Sequence, residues 1–222
     1  MKHYDRTLKQ LFVYILGLFI LTLGISLSIY AGLGVSPVSS LAYALTLVTS
    51  ISIGITTVLA NLVFIVVQWI LTKTFKLRSY TVQILVSILF GLFTDVTLSL
   101  TQAILPVPES MTMRIVYLIL SLLVMGLGLL GYLSAKMPLM PYDALTYVIS
   151  DTFHFAFSKA KITGDVLNVL VAAVLCLVTI HSFGSIGFGT LIAAVLVGKI
   201  IGFYMKRWQK PLVRWMLTSK FD

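Results

Sequence analysis

The sequence predicts an all-α, polytopic membrane helix bundle: six transmembrane spans plus two short non-spanning helices, arranged as two inverted-topology repeats of three spans each. Three observations carry this expectation. Of 222 residues, 59% are hydrophobic and only 10% are charged, whereas soluble domains carry about 25% charged residues. Six apolar runs are long enough to cross about 30 Å of hydrocarbon, which takes about 20 residues. The pattern of the first half also returns in the second. So few charges cannot solvate so much apolar surface, which excludes a cytosolic enzyme, a nucleic-acid-binding domain and a disordered chain.

The first run, 11–31, follows the basic start Lys2, Arg6 and Lys9. It is too long for the apolar region of a signal peptide, and no small-residue cleavage site follows a short one, so it is expected to stay as the first span. The stretch Gly32-Leu33-Gly34-Val35-Ser36 then forms a turn, and Pro37 opens a short apolar helix over 37–49. Proline suits a first helical turn, where its missing N–H has no partner to lose. At 1.5 Å per residue such a helix reaches about two-thirds of the way across. Spans over 54–72 and 79–101 follow, separated by the basic loop that holds Lys73, Lys76 and Arg78. The second half repeats this order. It has a span over 114–135, the turn Met137-Pro138-Leu139-Met140, a short helix over 141–153 opening on Pro141, and spans over 162–180 and 187–205. Residues 1–110 thus form the first membrane repeat and 111–205 the second. The basic, aromatic tail 206–222 is expected to lie on the anionic inner leaflet.

The positive-inside rule chooses among topologies. If the two short helices do not cross, 14 of the 16 basic residues fall on the cytoplasmic side with both termini, Arg114 falls outside, and Lys199 lies within a span. If both cross, as in a plain eight-span bundle, Lys73, Lys76, Arg78 and Lys136 move outside. The net charge of +9 is therefore an orientation code rather than a nucleic-acid signature.

A shift of 104 pairs Gly24 with Gly128, Ala31 with Ala135, Pro37 with Pro141 and Tyr43 with Tyr147. A shift of 107 then pairs Thr56 with Thr163, Asn61 with Asn168 and Gly91 with Gly198. Three spans per half is an odd number, so the second half enters upside down. Transporters of this kind place their sites at matching interrupted segments. Duplication that only enlarges a bundle is the plainer alternative.

The candidate ligand or ion residues follow from that plan. Around Gly34, Ser36 and Pro37, a helix N-terminus inside the membrane presents unpaired amides, with Ser36 placed to cap them. Pro141 and Asp143 form the inner counterpart; Asp143 either stabilises that N-terminus or holds a cation or proton. Asp95 lies deep in a full span, where a carboxylate is expensive. It either couples to a proton, or reaches water or caps the Pro37 helix. Lys199, one turn from the matching position, either snorkels to the inner face or approaches Asp143. Asn61 and Asn168 are either glue between helices or two symmetry-related contacts to one central ligand. Gln68 and Gln83 are weaker candidates of the same kind. His154 and His181 read as interfacial, and Cys176 as a packing residue. No metal-ligand spacing, phosphate loop or catalytic triad is present, so no enzyme activity and no cofactor are expected.

The stretch Ala31-Gly32-Leu33-Gly34-Val35-Ser36-Pro37 after a first span, followed by Gly54-Ile55-Thr56 opening the next, resembles the YczE/YyaS/YitT-type integral membrane proteins of bacteria. That group usually shows Trp-Asp after the Ser-Pro; Val38-Ser39 stands there in this chain, while the second half keeps Pro141-Tyr142-Asp143. The resemblance implies a bacterial plasma membrane and no established biochemical activity. The expected function is a small transporter or permease-like protein that binds a small molecule or ion between its halves. The alternative is a non-transporting partner subunit or assembly factor. It would bind a protein partner, or a second copy, through the tail and a glycine-lined face at Gly126, Gly128 and Gly131. A substrate-binding subunit of a larger importer is a third option. Besides the lipid bilayer these are the expected partners; nucleic acid is not among them.

Overall fold

In the computed structural model, residues 2–74, 76–154 and 156–218 are described, residues 2–5 as helical backbone only. Lys220 and the side chain of Lys2, counted above among the basic residues, lie outside this description. Among the described residues there is no strand. The helices are α1 (Lys2–Ala31), α2 (Pro37–Thr49), α3 (Ile53–Thr72), α4 (Leu77–Ile104), α5 (Met111–Ser134), α6 (Pro141–Phe153), α7 (Phe157–Ile180), α8 (Phe188–Tyr204) and α9 (Lys210–Leu217). Six stretches are long and apolar enough to cross a membrane; α2 and α6, at 13 residues each, are not.

Both short helices open on the expected proline. Local chemistry sets several other ends. Ser52 and Ser110 accept the amides of Ile55 and Met113 and so cap α3 and α5. Ser50, Lys73, His154 and His181 end α2, α3, α6 and α7 in the left-handed conformation, which returns an N–H to an orphan carbonyl in the last turn of α2, α3 and α6.

The centre of the bundle is the α1–α5 pair, and glycine lets these backbones touch. A Cβ on Gly24 would stand 2.6 Å from the Met125 nitrogen, and one on Gly128 would stand 2.3 Å from the Leu21 nitrogen. Gly17 meets Tyr132 in the same seam. Residue numbers rise along α1 as they fall along α5, so the two helices are antiparallel. By the same reading α4 is parallel to α1, with Phe19 against Phe93 and Ser26 bonded to Thr97. Helix α3 is antiparallel to α4, with Gly54 against Asp95 and Val58 against Gly91. Helix α3 therefore runs opposite to α1. A crossing α2 would have made them parallel, so the fold is six spans and not eight.

The neighbours recur between halves. Helix α1 packs on α4, and α5 on α8; α2 packs on α3 and α7, and α6 on α7 and α3. The Gly24–Met125 contact, shifted by 104, becomes the Gly128–Leu21 contact. One pairing is unmatched. Gly91 is tight against Gly54, but nothing lies within 4 Å of a Cβ on Gly198, and α7 makes no comparable contact with α8. Both helices turn large apolar side chains outward, among them Val174, Val178, Leu191 and Val195.

Two further features are used inside the fold. The tail, expected on the inner leaflet, packs on the first helix. Helix α8 continues through the π-helical turn Met205–Gln209 into α9, which packs on the start of α1. Met216 is 1% exposed in the core beside Val13 and Tyr14, and Lys9 donates to the Thr218 carbonyl and stands over the Trp215 ring. The glycine face is not open to a partner either. Gly126 meets Ile200 and Tyr204 of α8, Gly128 meets Leu21, and Gly131 meets Gly17.

Candidate functional site

The two short helices converge on one apolar cluster. Ala42 of α2 and Tyr142 and Leu145 of α6 pack there with Ile53, Ala60 and Phe64 of α3. Each helix begins at a proline whose carbonyl accepts a hydrogen bond from an amide side chain of another helix.

At the start of α2, Asn168 Nδ2 donates to the Pro37 oxygen at 2.6 Å and the Val38 oxygen at 3.1 Å. Asn168 lies midway along α7, so α2 starts in the middle of the bundle. The preceding turn is pinned against the start of α8. Val35 N donates to the Ser185 oxygen at 3.1 Å, and Gly189 N donates to the Leu33 oxygen at 2.7 Å. Gly34, at φ +99°, has no room for a side chain: its Cβ would stand 2.4 Å from the Gly187 nitrogen. Ser36 does not cap the helix as expected; its hydroxyl pairs with that of Ser39 at 3.2 Å. Asn168 Oδ1 is buried with no donor among the described residues, which is costly unless something supplies one.

At the start of α6 the amide is Gln68, which donates to the Pro141 oxygen at 3.0 Å and pairs with Gln83. Asn61, the sequence mate of Asn168, is 6% exposed and makes no hydrogen bond among the described residues. The expected pair of symmetric asparagine contacts is therefore replaced by an Asn168–Gln68 pair. Tyr132 of α5 accepts the Met140 amide at 2.7 Å and donates to Asp143 Oδ2 at 3.0 Å. Next to it, the Tyr142 hydroxyl donates to Asp165 Oδ1, Lys161 Nζ lies 3.3 Å from the same oxygen, and that ammonium sits 4.3 Å from the Tyr142 ring centroid. Two carboxylates and one ammonium thus share this end of α6. Lys161 is spent on Asp165, and Asp143 is left with a tyrosine. A carboxylate within a bundle is costly without a partner, and Asp143 forms no ion pair among the described residues.

Two charged candidates fall elsewhere. Asp95 caps neither the Pro37 helix nor any part of α2. It accepts the Gly54 amide at 2.7 Å and the Ser52 hydroxyl at 2.9 Å, at the start of α3. Lys199 faces outward on α8 and, among the described residues, pairs with no carboxylate; Lys161 is the cation whose field reaches Asp143. Sequence reading missed Tyr132 and Lys161 as site residues. The i, i+4 spacing of Lys161 and Asp165 on α7 was the available pointer to one of them.

DUF6198, a family of unknown function, matches residues 8–206. The chain is similar to the uncharacterized protein YyaS of Bacillus subtilis, at 29% identity over 93% of this chain and 95% of that protein. An uncharacterized protein of Haemophilus influenzae is 27% identical over 89% of this chain and 84% of its own length. The uncharacterized membrane protein YczE of Bacillus subtilis is 28% identical over 86% and 82%. No solved structure matches.

Proposed function

We propose that this chain, which belongs to the DUF6198 family of unknown function, is a small permease-like transporter of the bacterial plasma membrane and not an enzyme. A small molecule or ion binds between two inverted repeats, at the facing starts of α2 and α6. The observation that carries this reading is the pair of half-helices. Each opens on a proline inside the bundle, each is held by an amide from a helix of the other half (Asn168 to Pro37, Gln68 to Pro141), and both pack into one cluster. Interrupted helices at matching positions are where such folds bind substrate. The recurrence of the α1–α5 contacts at a shift of 104 supports the inverted repeat.

In this reading Asp143 takes the coupling proton or cation, with Tyr132 orienting it, and the buried oxygen of Asn168 accepts a donor from the substrate. The basic end of the molecule, with Lys73, Lys76, Arg78, Lys136, Lys206 and Arg207, faces the cytoplasm together with both termini. The similarity to a protein named as a membrane protein supports a membrane location. The partner-subunit alternative loses support because its glycine face and tail are used inside the fold.

The test uses the full-length protein in proteoliposomes on a solid-supported membrane, with jumps of pH and of sodium concentration. Wild type is expected to give a transient current that Asp143→Asn abolishes and Asp95→Asn keeps. A wild-type trace equal to that of empty liposomes, or an unchanged Asp143→Asn trace, overturns the reading.

A further inference from the structure

A cleft of about 670 Å³ opens between the start of α4 and the connection from α5 to α6. It lies at the basic end of the bundle. One wall is Lys76, Leu77, Arg78, Ser79, Val82 and Gln83; the other is Pro138, Leu139 and Ala144. Three features define what would occupy it. Its two charged residues are both cations, and no acidic residue lines it. Neither Lys76 nor Arg78 forms an ion pair among the described residues. The rest of the lining is mainly apolar, and Leu77, at 65% exposure, leaves a large side chain uncovered directly between the two cations.

We infer that this cleft binds an anionic phospholipid, its phosphate between Lys76 and Arg78 and an acyl chain along Leu77, Val82 and Leu139. Lys76 and Arg78 are exposed cations at the mouth of a mainly apolar cleft, and a phosphate between them gives both an opposite charge. Inorganic phosphate would satisfy the cations but leave the apolar lining bare. A lipid covers both, and basic pockets between transmembrane helices are suited to anionic headgroups. The cleft also touches the transport machinery proposed above without depending on it. Gln83 in its wall pairs with Gln68, which holds the Pro141 carbonyl, so an occupant bears on the start of α6.

The experiment is native mass spectrometry of the purified full-length protein in a neutral detergent, titrated separately with phosphatidylglycerol, phosphatidylcholine and inorganic phosphate. Phosphatidylglycerol is expected to bind in preference to phosphatidylcholine. The double variant K76Q/R78Q is expected to weaken it about thirtyfold, two charge contacts' worth. The matched variant K206Q/R207Q removes the same charge at the same end and is expected to bind as wild type does. Each variant's thermal unfolding without added lipid establishes that it is folded; both carry substitutions of exposed residues only. The inference is overturned if K76Q/R78Q binds phosphatidylglycerol as wild type does, or if K206Q/R207Q loses as much. Equal binding of the two lipids also overturns it, as does inorganic phosphate displacing the bound lipid at equal concentration.

Discussion

Asp95 and Asp143 are both carboxylates beside a helix start, yet their surroundings give them different work. Asp95 accepts a backbone amide and a serine hydroxyl at the joint between α2 and α3. A charged acceptor of this kind contributes through hydrogen bonds that a neutral acceptor makes more weakly. Asp95→Ala is therefore expected to lower unfolding stability by about 1.5–3 kcal/mol, and Asp95→Asn by less, measured as chemical unfolding in detergent micelles. An Asp95→Ala protein as stable as wild type would mean that this cap carries no load. Among the described residues Asp143 has one tyrosine donor and no ion pair, so its carboxylate has capacity left over.

At the scale of elements, the two halves use their matching glycines differently. Gly24 and Gly128 set the spacing of α1 and α5, where any Cβ collides with backbone. Gly128→Ala is expected to cost about 1–3 kcal/mol through overpacking. Gly198, the mate of the tightly packed Gly91, faces open space, as does Gly202. Gly198→Ala and Gly202→Ala should leave stability unchanged or raise it by up to about 1 kcal/mol, the helix preference of alanine over glycine. Thermal unfolding of the three variants side by side measures the contrast. A destabilised Gly198→Ala would mean that α7 closes on α8 in the membrane. Helix α9 shows the same dependence on surroundings: its polar side is basic, while Met216, Leu212 and Val213 enter the core.

At the scale of the whole molecule, directions decide topology. Parallel α1 and α4, together with antiparallel α3 and α4, leave no room for a crossing by α2. The accessibility of single cysteines in intact cells checks the orientation. The native Cys176 is fully buried and sits in a packed contact with Gly184, so it is a weak background. Cysteines at positions 76 and 136 are expected to resist an impermeant reagent added outside, and one at position 107 to react. Labelling of position 76 from outside would reverse the assignment of cytoplasmic loops.

The order and length of the helices were legible residue by residue. Pro37 and Pro141 open the short helices where expected, and the long apolar runs match the six spans to within a few residues at most ends. Hydropathy, proline and glycine act locally, or along one helix, so a linear string contains them. Most of the site was not legible in that way. Whether Asn61 or Gln68 meets Pro141, whether Lys161 or Lys199 neighbours Asp143, and which helix Asp95 caps all depend on how each helix is rotated and how deep it sits. A helix turns by about 100° and rises 1.5 Å per residue, so a small difference in packing exchanges one polar partner for another. The sequence alone determined a six-span bundle with two inserted half-helices, because membrane thickness and backbone hydrogen bonding leave few alternatives. Only the tertiary structure decided which polar groups meet, because long-range packing, rather than local chemistry, sets helix rotation and depth.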